Sequence, residues 1–244
     1  MTLDYLFIFI FLALVAEILG TIGGFGSSLF FVPIAGYFLD FHSVLGITAL
    51  FHISSNLTKI YFFKKGVDWK LIIQIGIPSV IFVIAGAFLS NFLDTKLLEI
   101  ILAIFLIALS TLFLIRQKLV VPPTKWNNIS GGILSGFLAG LVGTGGSIRG
   151  IVLAAYNLKM EVFIATSAVI DLAIDSSRAV VYTMNGYVHA HDLYLIPILL
   201  VVSIFGTWMG KMILTKISEN KFRNIVLILI LITGIMTLIK FINS

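Results

Sequence analysis

The sequence contains no cysteine and few charged residues. Without cysteine among its 244 residues, disulfides, thiol catalysis and cysteine-ligated metal sites are excluded. Only 11% of the residues are charged, against about 25% in an ordinary soluble domain, whereas 59% are hydrophobic. A chain with so few charges cannot cover itself with a well-hydrated surface. This excludes a soluble enzyme, a nucleic-acid-binding domain and a disordered chain. The mean hydropathy of +1.13 indicates that the lipid bilayer is the solvent of this protein.

Long hydrophobic segments make up most of the chain. A transmembrane helix needs about 20 mostly apolar residues. Six segments meet this requirement: residues 43–63, 71–92, 97–115, 160–184, 193–214 and 222–242. Two further segments, 4–39 and 129–158, are longer and are interrupted by clusters of glycine. The first of them begins with acidic Asp4 and has no small-residue cleavage site, so we expect it to stay in the membrane rather than to be removed as a signal peptide.

The two glycine-rich interruptions match each other. Residues 20–27 (GTIGGFGS) align with residues 140–147 (GLVGTGGS) at an offset of 120. Polar residues of the next segment keep nearly the same offset, 119: His52, Asn56 and Lys59 fall on Asp171, Asp175 and Arg178. We therefore predict one membrane domain, 1–244, made of two homologous halves, 1–120 and 121–244.

Basic residues predict how the two halves are oriented. If each interrupted segment enters and leaves on the same side as a re-entrant hairpin, eleven loop Lys and Arg residues share one side, against Lys96 and Lys240 on the other. If each interrupted segment crosses once, the counts are seven and six. The positive-inside rule favours the hairpins. The eleven residues are Lys64, Lys65, Lys70, Arg116, Lys118, Lys125, Lys159, Lys211, Lys216, Lys221 and Arg223.

The predicted fold is therefore an all-α polytopic membrane protein of two inverted repeats. Each repeat has a glycine-broken re-entrant helical hairpin followed by three transmembrane helices, and both chain termini lie outside the cytoplasm. Inverted repeats with broken helices are a transporter architecture, in which the substrate binds near the midplane where the repeats meet.

The two glycine-rich tips are candidate anion sites. Glycine permits a sharp turn and close approach of a ligand to the backbone, and the first N–H groups of the helix that restarts there lack intrahelical partners. Serine follows the glycines in both tips, at Ser27 and Ser147. The predicted substrate-binding residues of the tips are Gly23, Gly24, Gly26, Ser27, Ser28, Gly143, Thr144, Gly145, Gly146 and Ser147. The alternative is that these glycines only permit close packing of helices.

Ionisable residues inside the membrane extend the candidate site. Such residues are costly and face a partner or a cavity. We expect His52, Asn56, Arg149 and Arg178 to bind substrate. Glu17, Asp171 and Asp175 are assigned to proton coupling or charge pairing, with His52 a second proton-relay candidate. The alternative for the acids is internal neutralisation, of Asp175 by Arg178 or Arg149, with no charge left for a ligand.

Two further groups of polar residues are given structural explanations. Lys59 lies near the end of its segment, and we expect it to extend to the membrane surface. His189, His191 and Asp192 could form a metal patch, but solvated loop residues are the preferred interpretation. No cofactor and no metal site are predicted.

Together these features resemble the sulfite exporter TauE/SafE family. The resemblance rests on two halves that each open with a glycine-rich break (residues 20–27 and 140–147), on the polar helix after each break and on the loop Gly66–Val67–Asp68–Trp69. It covers nearly the whole chain. The resemblance implies an inner-membrane permease for a small anion, such as sulfite, another sulfur oxyanion or an organosulfonate.

We therefore expect a multi-pass inner-membrane secondary transporter of such an anion, bound at the midplane between the two tips. The alternative is a passive anion channel. A membrane hydrolase is disfavoured because no His–Asp pair is placed to activate Ser27 or Ser147, and a scaffold is disfavoured by the charged residues within the membrane. The expected partners are a small anionic substrate and the lipid bilayer, without nucleic acid; a homo-oligomer is compatible with the sequence.

The orientation can be tested by cysteine accessibility, since the native chain has no cysteine. A single cysteine at Lys118 should be protected from a membrane-impermeant thiol reagent in intact cells, because the central loop is predicted to be cytoplasmic. The same cysteine should react once the membrane is opened. Labelling in intact cells would contradict the predicted orientation.

Overall fold

Ten α-helices form the part of the chain that the computed structural model describes, residues 3–24, 26–63, 66–116, 121–214, 216 and 219–242. They are α1 (Leu3–Gly23), α2 (Ser28–Ala35), α3 (Phe41–Phe62), α4 (Trp69–Ser90), α5 (Thr95–Ile115), α6 (Lys125–Val142), α7 (Gly146–Ala154), α8 (Met160–Met184), α9 (Leu195–Leu214) and α10 (Glu219–Ile242). Within α4, Ile72–Gly76 is a π-helical turn. These ranges contain no strand, which confirms the all-α class.

Four helices are long and apolar enough to cross a membrane by length and composition: α1, α4, α5 and α9. Helices α3 and α8 have comparable lengths of 22 and 25 residues but carry the polar residues of the candidate site. Short α2, with 8 residues, rises only about 12 Å and cannot span the bilayer alone. The protein is thus a multi-pass membrane protein, as predicted.

The orientation of the halves and the re-entrant course of the interrupted segments stay predictions. Part of the basic-residue argument falls on Lys64, Lys65 and Lys118, which lie outside the described residues. The last two residues of the chain, on which the location of the C-terminus depends, also lie outside them.

Both predicted interruptions are breaks between a long helix and a short one. Helix α1 ends at Gly23 and α2 begins at Ser28, whereas α6 ends at Val142 and α7 begins at Gly146. Gly26 has a φ of 84° and Gly143 a φ of 79°, a left-handed conformation that residues with a Cβ rarely adopt. In each pair the short helix packs against the long one, α2 on α1 and α7 on α6.

Other glycines let helices α4 and α6 touch along their backbones. Gly132, Gly136 and Gly140 recur every four residues on α6, and a Cβ on each would collide with a carbonyl oxygen of α4. The carbonyls belong to Ile75, Ser79 and Val83. The packing explanation therefore holds for this stripe, including Gly140, which the sequence alignment placed at the start of the second tip. Gly20, its counterpart, likewise packs against the backbone of Ser27.

Replacing Gly136 with alanine should separate α4 from α6, because the new methyl group would meet the backbone of Ser79. Overpacking of this kind costs about 1–3 kcal/mol. We expect Gly136→Ala to lower the melting temperature of the detergent-purified protein by several degrees.

The matched control is Gly76→Ala, whose Cβ would lie 3.7 Å from the Ile170 side chain, an ordinary van der Waals contact. This control should melt at or slightly above the wild-type temperature, since alanine is the better helix former. Equal melting temperatures for the two variants would contradict the close α4–α6 contact.

Candidate functional site

The two glycine-rich tips touch each other. The Ser28 hydroxyl, at the start of α2, donates a hydrogen bond to Thr144 Oγ1 in the second tip, at 3.2 Å. Both side chains are buried. The sequence placed the tips 120 residues apart in the chain, and the fold brings them into direct contact.

Beside this contact lies a small cavity of about 10 Å³, space for about one water molecule. Most of the predicted site residues lie in its wall. Those lining it are Gly26, Ser28, His52, Asn56, Gly143, Gly145, Gly146, Asp171, Asp175 and Arg178, together with Lys59, Ala139 and Ile174. Gly24 lines an adjoining cavity with Gly20, Thr21, Gly26, Asn56, Lys59 and Asp171, among others.

The remaining predicted residues line neither of these two cavities. They are Gly23, Ser27, Thr144, Ser147, Arg149 and Glu17. Ser147 Oγ is buried and has no hydrogen-bond partner among the described residues. Thr144 joins the tips, and Ser27, Arg149 and Glu17 bond to residues of the cavity wall.

Glu17 forms a buried ion pair with Lys59. Its Oε1 lies 2.9 Å from Lys59 Nζ, and Lys59 also donates to Ser55 Oγ at 2.6 Å. Four hydroxyl groups donate to the same carboxylate, from Thr21, Ser27, Ser55 and Thr207. A carboxylate with a cation and four donors around it is fully satisfied, as a buried charge must be.

The expectation that Lys59 reaches the membrane surface is therefore wrong. Its side chain is only 5% exposed, because Glu17 of α1 offers a partner inside the protein. Helical spacing could have identified Thr21 and Ser55 as partners of this pair. Thr21 lies four residues after Glu17, and Ser55 lies four residues before Lys59. Thr207 comes from α9, and only the packing of α9 on α1 brings it to this carboxylate.

Arg178 joins the polar helix α8 to the end of α6. Its Nε and Nη2 lie 2.8 and 2.7 Å from Asp175 Oδ1, and its Nη1 donates to the carbonyl oxygens of Ala139 and Gly143. Tyr182, one turn further along α8, donates to the Gly140 carbonyl at 2.6 Å. The last carbonyls of a helix lack intrahelical partners and attract positive charge, so Arg178 and Tyr182 cap α6 at the tip.

Arg149 and Asp171 form the third buried pair. The Arg149 guanidinium is 1% exposed and donates from Nη2 to Asp171 Oδ2 and from Nε to Ser167 Oγ. Asp171 is the more open partner, with 18% of its side chain exposed. Because Asp171 lines both cavities and Arg149 lines neither, the carboxylate stands between the arginine and the cavities.

Charge in the described part of this site is balanced. Three cations, Lys59, Arg149 and Arg178, pair with three carboxylates, Glu17, Asp171 and Asp175. The internal neutralisation that the sequence left open is what the geometry shows: Asp175 pairs with Arg178, and Arg149 pairs with Asp171.

His52 and Asn56 connect Asp175 to the first tip. Asn56 Nδ2 donates to Asp175 Oδ2 at 2.7 Å, and His52 Nδ1 lies 3.8 Å from the same oxygen. On its other side, His52 Nε2 is 3.0 Å from Ser27 Oγ, which donates to Glu17 Oε2 at 2.6 Å. A continuous chain of polar contacts therefore links Glu17, Ser27, His52, Asp175 and Arg178.

A second cluster, remote in sequence from the tips, lies between α8 and α9. His189, His191 and Asp192 have donor atoms within 4.8 Å of one another and could hold a metal ion. The interpretation as solvated loop residues fits His191, whose side chain is 75% exposed. It is wrong for Asp192, which is 4% exposed and has a buried Oδ2 without a hydrogen-bond partner in the described structure.

Removing one partner of the Glu17–Lys59 pair should destabilise the protein strongly. Lys59→Met would leave a buried carboxylate without its cation, and breaking a buried pair in this way costs about 3–5 kcal/mol. We expect a large fall in the melting temperature of Lys59→Met, and substantial recovery in the double variant Lys59→Met/Glu17→Gln. A Lys59→Met variant as stable as the wild type would show that the pair does not form.

Comparison with known proteins identifies the family of this chain. Residues 9–237 match the family described as sulfite exporter TauE/SafE. A protein of Methanocaldococcus jannaschii described as a probable membrane transporter is 30% identical in an alignment of 238 positions, and the match covers 88% of each chain. No solved structure matches the chain. The family is one of membrane transporters and not of enzymes, and this chain belongs to it: it is a member of the sulfite exporter TauE/SafE family.

Proposed function

We propose that the protein is a secondary transporter of a small anion, sulfite or a related sulfur oxyanion or organosulfonate, which binds between the two glycine-rich tips. The observation that carries the proposal is the convergence of both tips and of polar groups from both halves on one small cavity. The family description names sulfite export, and the anionic substrate of this chain is proposed from it together with the site.

The contact between Asn56 and Asp175 supports two inverted repeats. These residues are 119 positions apart and occupy equivalent places in the two halves. Equivalent residues of a two-fold repeat can touch each other only near the axis that relates the halves. The cavity would then lie on that axis, where transporters with inverted repeats hold their substrates.

Several groups in the wall suit an oxyanion. Asn56 offers an amide and Ser28 a hydroxyl, while Gly145 and Gly146 bring the start of α7 and its N–H groups to the cavity. Fixed dipoles of this kind can hold an anion while the neighbouring ion pairs stay balanced.

The size of the cavity favours a transporter over a passive channel. The cavity has room for about one water molecule, and a sulfur oxyanion is larger than that, so the tips must separate before substrate enters. A channel needs a continuous water-filled path, whereas a transporter alternates between closed and open arrangements of its repeats.

The proposal is tested by a binding screen on the purified protein. Sulfite, thiosulfate, sulfate and methanesulfonate are added in turn, with chloride as the reference anion, and thermal unfolding is followed. A ligand at about 100 times its dissociation constant stabilises the folded state by about 2.7 kcal/mol. We expect at least one sulfur anion to raise the melting temperature by several degrees, and saturable uptake of the same anion into proteoliposomes. Large single-channel currents would favour the channel instead.

The role of the tips is tested by Gly26→Ala. The left-handed φ of 84° at Gly26 costs about 1–2 kcal/mol for a residue with a Cβ, so alanine should displace the tip although its Cβ would make only an ordinary contact, 3.9 Å from Ser28 Oγ. We expect the dissociation constant of the anion to rise about tenfold.

Gly36→Ala is the control for this variant. Gly36 has an ordinary helical φ of −63°, and its Cβ would lie 3.6 Å from the nearest carbonyl oxygens. Equal anion affinity in the two alanine variants would remove the first tip from the binding site.

A further inference from the structure

We propose that His52 takes up one proton when the anion binds, so that anion and proton move together through the protein. This inference rests on the proposed function, because it concerns the same cavity. It assigns to His52 a role as the coupling residue, with the proton bound at Nδ1.

The hydrogen bonds around Ser27 determine which nitrogen of His52 carries a proton. Glu17 is paired with Lys59 and, as a carboxylate, can only accept hydrogen bonds. The single hydroxyl hydrogen of Ser27 is therefore directed to Glu17 Oε2, at 2.6 Å. His52 Nε2, 3.0 Å from Ser27 Oγ, must then be the donor in that contact.

It follows that neutral His52 has no proton on Nδ1. This nitrogen lies 3.8 Å from Asp175 Oδ2, and both residues line the cavity. Two acceptors at this distance do not bond to each other. A proton added to Nδ1 would turn the contact into an attraction between an imidazolium and a carboxylate, and would break no existing hydrogen bond of His52.

Without substrate, the surrounding charges oppose this proton. His52 is only 6% exposed; Lys59 on α3 and Arg178 on α8 line the same cavity, and Arg149 on α7 is bound to Asp171 in its wall. Their three positive charges are already balanced by Glu17 on α1 and by Asp171 and Asp175 on α8. An additional proton would leave one net positive charge in a buried site, which is costly within a membrane protein.

A bound anion reverses this balance. An anion that enters the cavity adds negative charge to a neutral cluster, and the same electrostatic cost then favours a compensating proton. Each ligand therefore strengthens the binding of the other, and this coupling is reciprocal. The proton comes from the aqueous side to which the cavity opens and leaves with the anion on the other side; no covalent bond between heavy atoms changes.

The test measures proton uptake on anion binding by the purified protein. The probes are thiosulfate and methanesulfonate, because neither takes up a proton near neutral pH, whereas sulfite does. Proton uptake is obtained by calorimetry in buffers of different ionisation enthalpy. For wild type we expect up to one proton taken up per anion between about pH 6 and pH 8. The affinity should fall as the pH rises, by at most about tenfold per pH unit.

His52→Gln is the informative variant. Its side-chain amide can still donate to Ser27 but cannot take up a proton. We expect it to bind the anion several-fold more weakly than wild type at pH 6, with no proton uptake and no dependence of affinity on pH. The control is His191→Gln, the same substitution at an exposed histidine outside the site, which should behave as wild type.

The outcomes separate this inference from the proposed function. Binding of none of the four anions, thiosulfate, methanesulfonate, sulfate and sulfite, would overturn the proposed function and the coupling with it. Binding without proton uptake in the wild-type protein would overturn the coupling alone, and this measurement does not depend on any variant. Proton uptake that persists in His52→Gln but is lost in Asp171→Asn would contradict the role of His52. It would show that Asp171, the partner of Arg149, takes up the proton instead.

Discussion

Each of the three cations buried among the described residues pairs with a carboxylate on another turn or another helix, and the site depends on that constraint. Charges inside a bilayer are too costly to leave unpaired. Lys59 therefore stays with Glu17, Arg178 with Asp175 and Arg149 with Asp171. Two of these pairs connect different helices, α3 with α1 and α7 with α8, and the third fixes Arg178 against the end of α6. The ion pairs thus position the tips as well as neutralise the core.

The residues of the site have two different roles: some hold the tips in place, and others form the wall of the cavity. Arg178 and Tyr182 hold the second tip by its carbonyl oxygens, and Glu17 holds the first through Ser27. Between them, Asn56 and His52 reach Asp175 from the other half of the chain. His52, whose Nδ1 has no hydrogen bond among the described residues, and the partly exposed Asp171 both lie in the cavity wall.

The sequence predicted the positions of the polar helices and the breaks because both follow local rules. Glycine clusters and polar residues spaced by three and four positions are visible without knowledge of the fold, and the internal repeat related one half to the other. The sequence offered the pair of Asp175 with Arg178 as one alternative, but it did not predict the pair of Glu17 with Lys59. The pairing of Lys59 with Glu17 depends on how closely α1 lies to its neighbours, and this distance is set by small residues: Gly206 and Gly210 on α9 pack against Glu17 and Thr21. In the same way, helical spacing could not distinguish Asp171 from Asp175 as the partner of Arg149, because they lie one turn apart on the same face of α8.

The central claim is that an anion binds between the two tips, and it can be tested by locating one there. Selenite resembles sulfite and carries selenium, whose anomalous scattering identifies its position directly in a crystal of the protein. The account predicts one dominant selenium peak beside Ser28 and Asn56, with the two tips further apart than the 3.2 Å contact between Ser28 and Thr144 allows. A peak elsewhere, or no peak between the tips at a saturating selenite concentration, would contradict it.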